Sequence, residues 1–234
     1  MKMPDGLILI AASLGLGWLL VNSLPVTPAA NLVDNSQPIY RYDTARLNTV
    51  KVDGQKVLFI GDSHTAYRNG WQDQLSRKTG MIARNTAVGG KRTQWMVQVA
   101  KEQITSEYNF CFIWGGANDM ASQVGVEKAV SNVQAIVDIC NAKGVRPIVL
   151  TGFHPYLCID ISKASENWAL YPGRYFYFQE KLLKEIKNAT VIKNHYITRK
   201  DGDCADFVCH MSASGHRKMA DSLIVACNFQ IRSK

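Results

Sequence analysis

From Lys56 onward, short apolar runs alternate with longer segments of helical spacing. Lys56 to Ile60 is the first run. Its Val57, Leu58, Phe59 and Ile60 are mostly β-branched or aromatic, as suits a strand buried on both faces. A helix is predicted from about Trp71 to Lys78, with Gly80 as its C-terminal cap, and Met81 to Val88 contains a second strand. Arg92 to Ser106 carries Met96, Val99, Ala100 and Ile104 at helical spacing, and Tyr108 to Trp114 reads as a third strand. Val126 to Ala142 repeats the helical pattern and closes at Gly144. Arg146 to Leu150 is a fourth strand, Tyr175 to Lys187 a further amphipathic helix, and Ala189 to Ile192 a short fifth strand. Ser212 is the N-cap of a last helix reaching Cys227. Strands that alternate with helices throughout build a parallel sheet covered on both faces. With right-handed crossovers the pattern predicts an α/β fold, a flavodoxin-like doubly wound sheet.

The N-terminus follows a different pattern. Leu7 to Val21 is an apolar run broken by Ser13, Gly15 and Gly17, and no charge follows Asp5 until Asp34. Residues 1–23 are therefore expected to form an N-terminal hydrophobic helix, either a cleaved signal peptide or a retained signal-anchor. Lys2 before the run, and no basic residue after it until Arg41, predicts the body of the protein outside the membrane. Residues 24–50 read as a linker, and 51–234 as the folded domain. An uncleaved helix would make the membrane a partner.

Composition narrows the partners. The chain has 234 residues and a formal net charge of +8, enough for one sizeable core and a basic surface. Its Lys and Arg residues are spread out, with no cluster interleaved with aromatics, which speaks against nucleic acid. Six cysteines are present. None has zinc-site spacing with a second pair, so no metal is expected. Cys204 and Cys209 flank an acid, and export would allow a disulfide between them.

The candidate chemistry sits at the strand ends. The first strand runs into Gly61-Asp62-Ser63-His64, and open α/β sheets bind ligands at the carboxyl ends of their strands. Asn85-Thr86-Ala87-Val88-Gly89-Gly90 follows the second strand, Gly115-Gly116-Ala117-Asn118-Asp119 the third, and Asp206-Phe207-Val208-Cys209-His210 precedes the last helix. Each motif alone is an ordinary turn or cap. Together, in the order Ser, Gly, Asn, His, they resemble the SGNH (GDSL-type) hydrolase family from about Lys51 to Cys227. The resemblance implies the same fold with five parallel strands, and a serine esterase that needs no cofactor.

It also implies roles. Ser63 is the expected nucleophile and His210 its base, since a serine hydroxyl needs a base at neutral pH. The backbone N–H groups of Ser63 and Gly90 and the Asn118 amide are the expected oxyanion donors, with Gly89 one step away from the Gly90 assignment. The acid departs from the family pattern: the family spaces Asp-x-x-His, whereas Asp206 stands one residue further from His210. Asp203 is an alternative, and a backbone carbonyl is a third. His64, Trp114 and His154, with Tyr156, are expected to line the substrate pocket, while His216 on the last helix reads as structural. The expected substrate is an acylated carbohydrate or small ester, with O-acetyl groups on an envelope polysaccharide favoured by the basic charge and the outward address. Acyl transfer to a sugar hydroxyl, or a non-catalytic envelope or virion component, are the competing readings.

Overall fold

The computed structural model describes residues 49–160, 171–193, 197–206 and 210–232. The expected hydrophobic helix over 1–23, and the expected linker up to residue 48, lie outside the described residues. Among the described residues, no helix is long and apolar enough to cross a membrane.

Strand β1 (Lys56–Gly61) is buried from Val57 onward. β3 (Phe110–Trp114) is buried throughout, and β4 (Arg146–Leu150) is buried beyond Arg146. These runs hold no polar side chain that needs water, so they fill the middle of the sheet. β2 (Ile82–Asn85) and β5 (Thr190–Ile192) form its edges, and all four β2 residues are exposed. The order is β2-β1-β3-β4-β5, and every pairing is parallel. This is the flavodoxin-like arrangement, with its switch point between β1 and β3.

Helices α1 (Ser63–Ala66) and α2 (Trp71–Thr79) follow β1, and α3 (Thr93–Gln103) follows β2. Next come α4 (Ala117–Ala121) and α5 (Val126–Ala142) after β3, then α6 (Pro155–Cys158) and α7 (Tyr171–Glu185) after β4, and α8 (Ala213–Ala226) closes the fold. α2 packs on α8, while α3, α5 and α7 pack in a row. The core joins these layers through Phe59, whose ring stacks on Phe112 and meets Trp71 edge-on, both at 5.3 Å.

The long elements lie within a few residues of their expected positions. Among the described residues α7 reaches back to Tyr171, ahead of the expected Tyr175, and takes in Pro172. The short helices α1, α4 and α6 span four or five residues each. No apolar period can develop over that length, so none was readable in the sequence. At the C-terminal side, Val50 pairs with Phe229, with Val50 N–H donating to Asn228 and Gln230 N–H donating back to Val50.

Candidate active site

The site grows from the turn after β1. A Cβ at Gly61 would lie 2.6 Å from both the Thr65 hydroxyl and the Trp114 carbonyl, so only glycine lets β1 turn this tightly beside β3. Asp62 is the N-cap of α1, its carboxylate accepting from the His64 N–H at 3.1 Å. This puts Ser63 at the first position of α1, half-buried at the carboxyl edge of the sheet. Asp62 itself is fully buried, and desolvation pushes its carboxyl up to about 7 against the opposing bond from His64.

His210 arrives from the far end of the chain. Its Nε2 lies 3.0 Å from Ser63 Oγ, and its Nδ1 lies 2.5 Å from Asp206 Oδ2. Asp206 Oδ1 also accepts the His210 backbone N–H at 3.0 Å. The segment behaves as a hairpin. Ala205 N–H donates to the His210 carbonyl at 2.6 Å, Ser212 N–H donates to Asp203 at 2.8 Å, and Cys204 bridges to Met211. A hairpin brings its two sides together whatever the length of its tip, which is how an acid four positions before the histidine still reaches the ring. Asp203 points the other way. It is buried, accepts from the Thr198 N–H and the Ser214 hydroxyl, and pairs with Lys218 at 2.8 Å.

The glycine turn lies over Ser63. Lys91 N–H donates to the Val88 carbonyl, which makes Gly89 and Gly90 the central pair of a turn. Gly90 has φ +74°, the left-handed value that a type II turn requires at that place. A Cβ on Gly89 would sit 3.8 Å from Ser63 Cβ, so Gly89 is the closer of the two to the serine. Among the described residues, the N–H groups of Ser63, Gly89 and Gly90 carry no hydrogen bond. The Asn118 amide donates to the Lys91 carbonyl at 3.1 Å and approaches Asp62 Oδ2 at 3.4 Å. These contacts place the amide between Asp62, which precedes Ser63, and Lys91, which follows Gly90.

Two aromatic layers support His210. The His64 ring stacks on Trp114 at 5.0 Å and lies 5.4 Å from the His210 ring. Burial, with the His210 charge adding to it, lowers His64 to about 3, so it is neutral at ordinary pH. Trp114 is itself buried and donates its indole N–H to the Tyr175 hydroxyl at 3.4 Å. It backs His64 from the core instead of facing a pocket. His154 packs against Phe176 at 5.2 Å and Tyr156 at 5.9 Å, in an aromatic group between α6 and α7. His216 is buried, accepts the Trp71 N–H at 3.2 Å and stacks on Tyr67, so it fastens α2 to α8.

The model of the GDSL-like lipase/acylhydrolase family matches residues 59–218. The chain belongs to that family. Among solved structures, it is similar to a catalytic mutant of Axe2, an acetylxylan esterase from Geobacillus stearothermophilus, at 17% identity and a TM-score of 0.61 over 79% of this chain and 100% of the other. A putative lipolytic protein of the G-D-S-L family from Desulfitobacterium hafniense gives 18% identity and a TM-score of 0.60 over 74% and 99%. A member of the lipolytic G-D-S-L family from Veillonella parvula gives 16% and 0.55 over 73% and 97%. Among curated protein sequences, none matches.

As a member of the GDSL-like family, the protein is an ester-hydrolysing enzyme. Three of its supporting residues had no distinct signal in the sequence. Asp119 accepts from the Thr93 N–H at 2.9 Å and hydroxyl at 2.6 Å, which ties the helix of Asn118 to the first turn of α3. Asn85 donates to the Thr65 carbonyl at 2.8 Å and so joins β2 to α1. Arg199 donates to the carbonyls of Cys158 and Asp206, bracing the hairpin from outside. Asp119 and Asn85 stand inside the quoted motifs, where their reach is conformational, while Arg199 lies in a stretch with no periodicity. The expected Cys204–Cys209 pairing meets a different neighbour: Cys204 Sγ lies 2.7 Å from Cys158 Sγ, and Cys209 is outside the described residues. Among the described residues, no group of His, Cys, Asp and Glu is arranged to hold a metal ion.

Proposed function

We propose that this enzyme is a serine esterase that removes O-acetyl groups from a carbohydrate, with Ser63 as nucleophile, His210 as base and Asp206 as the acid that orients it. The observation that carries this reading is the unbroken line Asp206–His210–Ser63, with contacts of 2.5 and 3.0 Å at the carboxyl end of β1. Asp206 at Nδ1 selects the tautomer that leaves Nε2 free to take the serine proton. Ser63 Oγ then attacks the ester carbonyl. The unused N–H groups of Ser63 and the glycine turn, with the Asn118 amide, receive the oxyanion. His210 returns the proton to the departing alcohol, and water repeats the sequence on the acyl-enzyme.

A carbohydrate substrate is supported by the openness of the site. His210 is half-exposed, and a shallow groove lined by Lys91, Arg92 and Trp95 continues from Gly90. The Axe2 structures, whose catalytic mutants replace a serine, an aspartate and a histidine, come from an enzyme named for acetylxylan. The proposed location is outside the cytoplasm, anchored or released, on the strength of the uncharged apolar run from Leu7 to Val21.

Hydrolysis of p-nitrophenyl acetate by wild type and Ser63→Ala tests the chemistry, and acetate release from acetylated glycans tests the substrate. The variant is expected to lose turnover and fluorophosphonate labelling together. Equal turnover in the two proteins would remove Ser63 from the mechanism.

A further inference from the structure

Two cysteines 46 positions apart meet beside the hairpin that carries Asp206. Cys158 closes α6, and Cys204 stands on the first side of the hairpin. Their sulfurs lie 2.7 Å apart, closer than two sulfurs approach without sharing a proton or a bond. The same two segments are joined a second time by Arg199, whose Nε donates to the Cys158 carbonyl at 2.9 Å while its Nη2 meets the Asp206 carbonyl. The guanidinium holds the cysteine-bearing backbones in register, so no large movement is needed for the sulfurs to bond.

The two thiols are unequal. Cys204 is half-buried, and its hydrogen bond with Cys158, helped by the Arg199 charge, lowers its pKa from the ordinary thiol value. Cys158 is buried, with its sulfur 3.3 Å from the Ile197 carbonyl. An accessible, activated thiol beside a buried one is the arrangement of an attacking and a resolving cysteine.

We propose that Cys158 and Cys204 form a disulfide that fastens the Asp206–His210 hairpin to α6. A small disulfide such as oxidised glutathione is the oxidant. The Cys204 thiolate attacks one of its sulfurs, the glutathione S–S bond breaks, and one glutathione leaves as thiolate. Cys158 gives its proton to water and attacks Cys204 Sγ. The mixed S–S bond breaks, and the second glutathione leaves as thiolate. Two protein thiols are oxidised to one disulfide, one glutathione disulfide is reduced to two thiols, and the protons of the two cysteines end on glutathione or in solvent.

The test uses the full chain, equilibrated in buffers of oxidised and reduced glutathione, alkylated, digested and mapped by mass spectrometry. A peptide pair joining Cys158 to Cys204, lighter by two hydrogens and released by dithiothreitol, is the expected result. Oxidised wild type should also melt about 5–10 °C above the reduced protein. Cys209→Ser should keep both the cross-link and the rise, and Cys204→Ser should lose both. A cross-link from Cys204 to Cys209, or both Cys158 and Cys204 alkylated after equilibration in the oxidised buffer, would overturn the proposal. The peptide map of wild type decides it even where a variant folds poorly.

Discussion

Asp206 holds His210 at two points, through the backbone N–H at 3.0 Å and through ring Nδ1 at 2.5 Å. One carboxylate therefore fixes both the path of the chain and the orientation of the imidazole. Asp203, three positions earlier, is spent on Lys218, Thr198 and Ser214. The two acids thus differ in what their loss should do.

Asp206→Asn is expected to lower kcat by about 10²–10⁴, since an amide presents a donor or a weaker acceptor to Nδ1 and disfavours the working tautomer. Its melting temperature should change little, because the side chain is more than a third exposed. Asp203→Asn should do the reverse, costing roughly 1–3 kcal/mol of stability by weakening a buried set of bonds while leaving most of the turnover. Steady-state kinetics and thermal melts on the two variants separate the roles; a larger kinetic loss at Asp203 would reassign the acid.

Asn118→Ala should reduce turnover by about 10²–10³, the cost typical of one missing oxyanion donor. KM for p-nitrophenyl acetate should stay within a few-fold of wild type, because an oxyanion donor serves the charged transition state more than the neutral ester. A large rise in KM with kcat intact would instead make Asn118 a substrate-binding residue.

His64 gives the fold an acid-sensitive element. Its folded pKa, about 3, lies below the ordinary histidine value of 6.5. Above pH 6.5 the ring is neutral in both states, and its titration does not change stability. As pH falls from 6.5 towards 3, the unfolded chain gains a proton that the folded chain refuses, so stability is lost across that window. His64→Phe keeps a flat ring against Trp114 and against Phe153, whose ring meets that of His64 edge-on at 5.1 Å, and removes the proton. Melting temperatures measured from pH 7 to pH 4 should therefore fall less steeply for the variant than for wild type. Parallel slopes would mean that His64 titrates normally in the folded protein.

Much of the fold was legible because strands and helices are written in local periods. Val57 to Ile60 and Phe110 to Trp114 are continuous apolar runs, and such runs have few stable places other than the middle of a parallel sheet. The same logic explains what was not legible. Trp114 stands at a strand end, where a pocket wall and a buried support look alike in sequence. Only its stacking beneath His64 separates the two. The glycine pair shows the same limit at the scale of one residue. The family resemblance, through its distance from Asn85, points to Gly90 with Gly89 one step away, yet Gly89 has the closer approach to Ser63 and Gly90 supplies the left-handed turn.

The sequence by itself determined the order of strands and helices, the turn that presents Ser63, and the residue types gathered at the strand ends. Those follow from neighbouring side chains, whose apolar periods and caps act over a few positions. Only the tertiary structure decided that Asp206 reaches His210 across an extra residue, that Asp203 is turned to Lys218, and that Cys204 faces Cys158. These contacts depend on how a hairpin closes and on which segment packs beside it. They are set by distances between parts of the chain that local pattern does not encode.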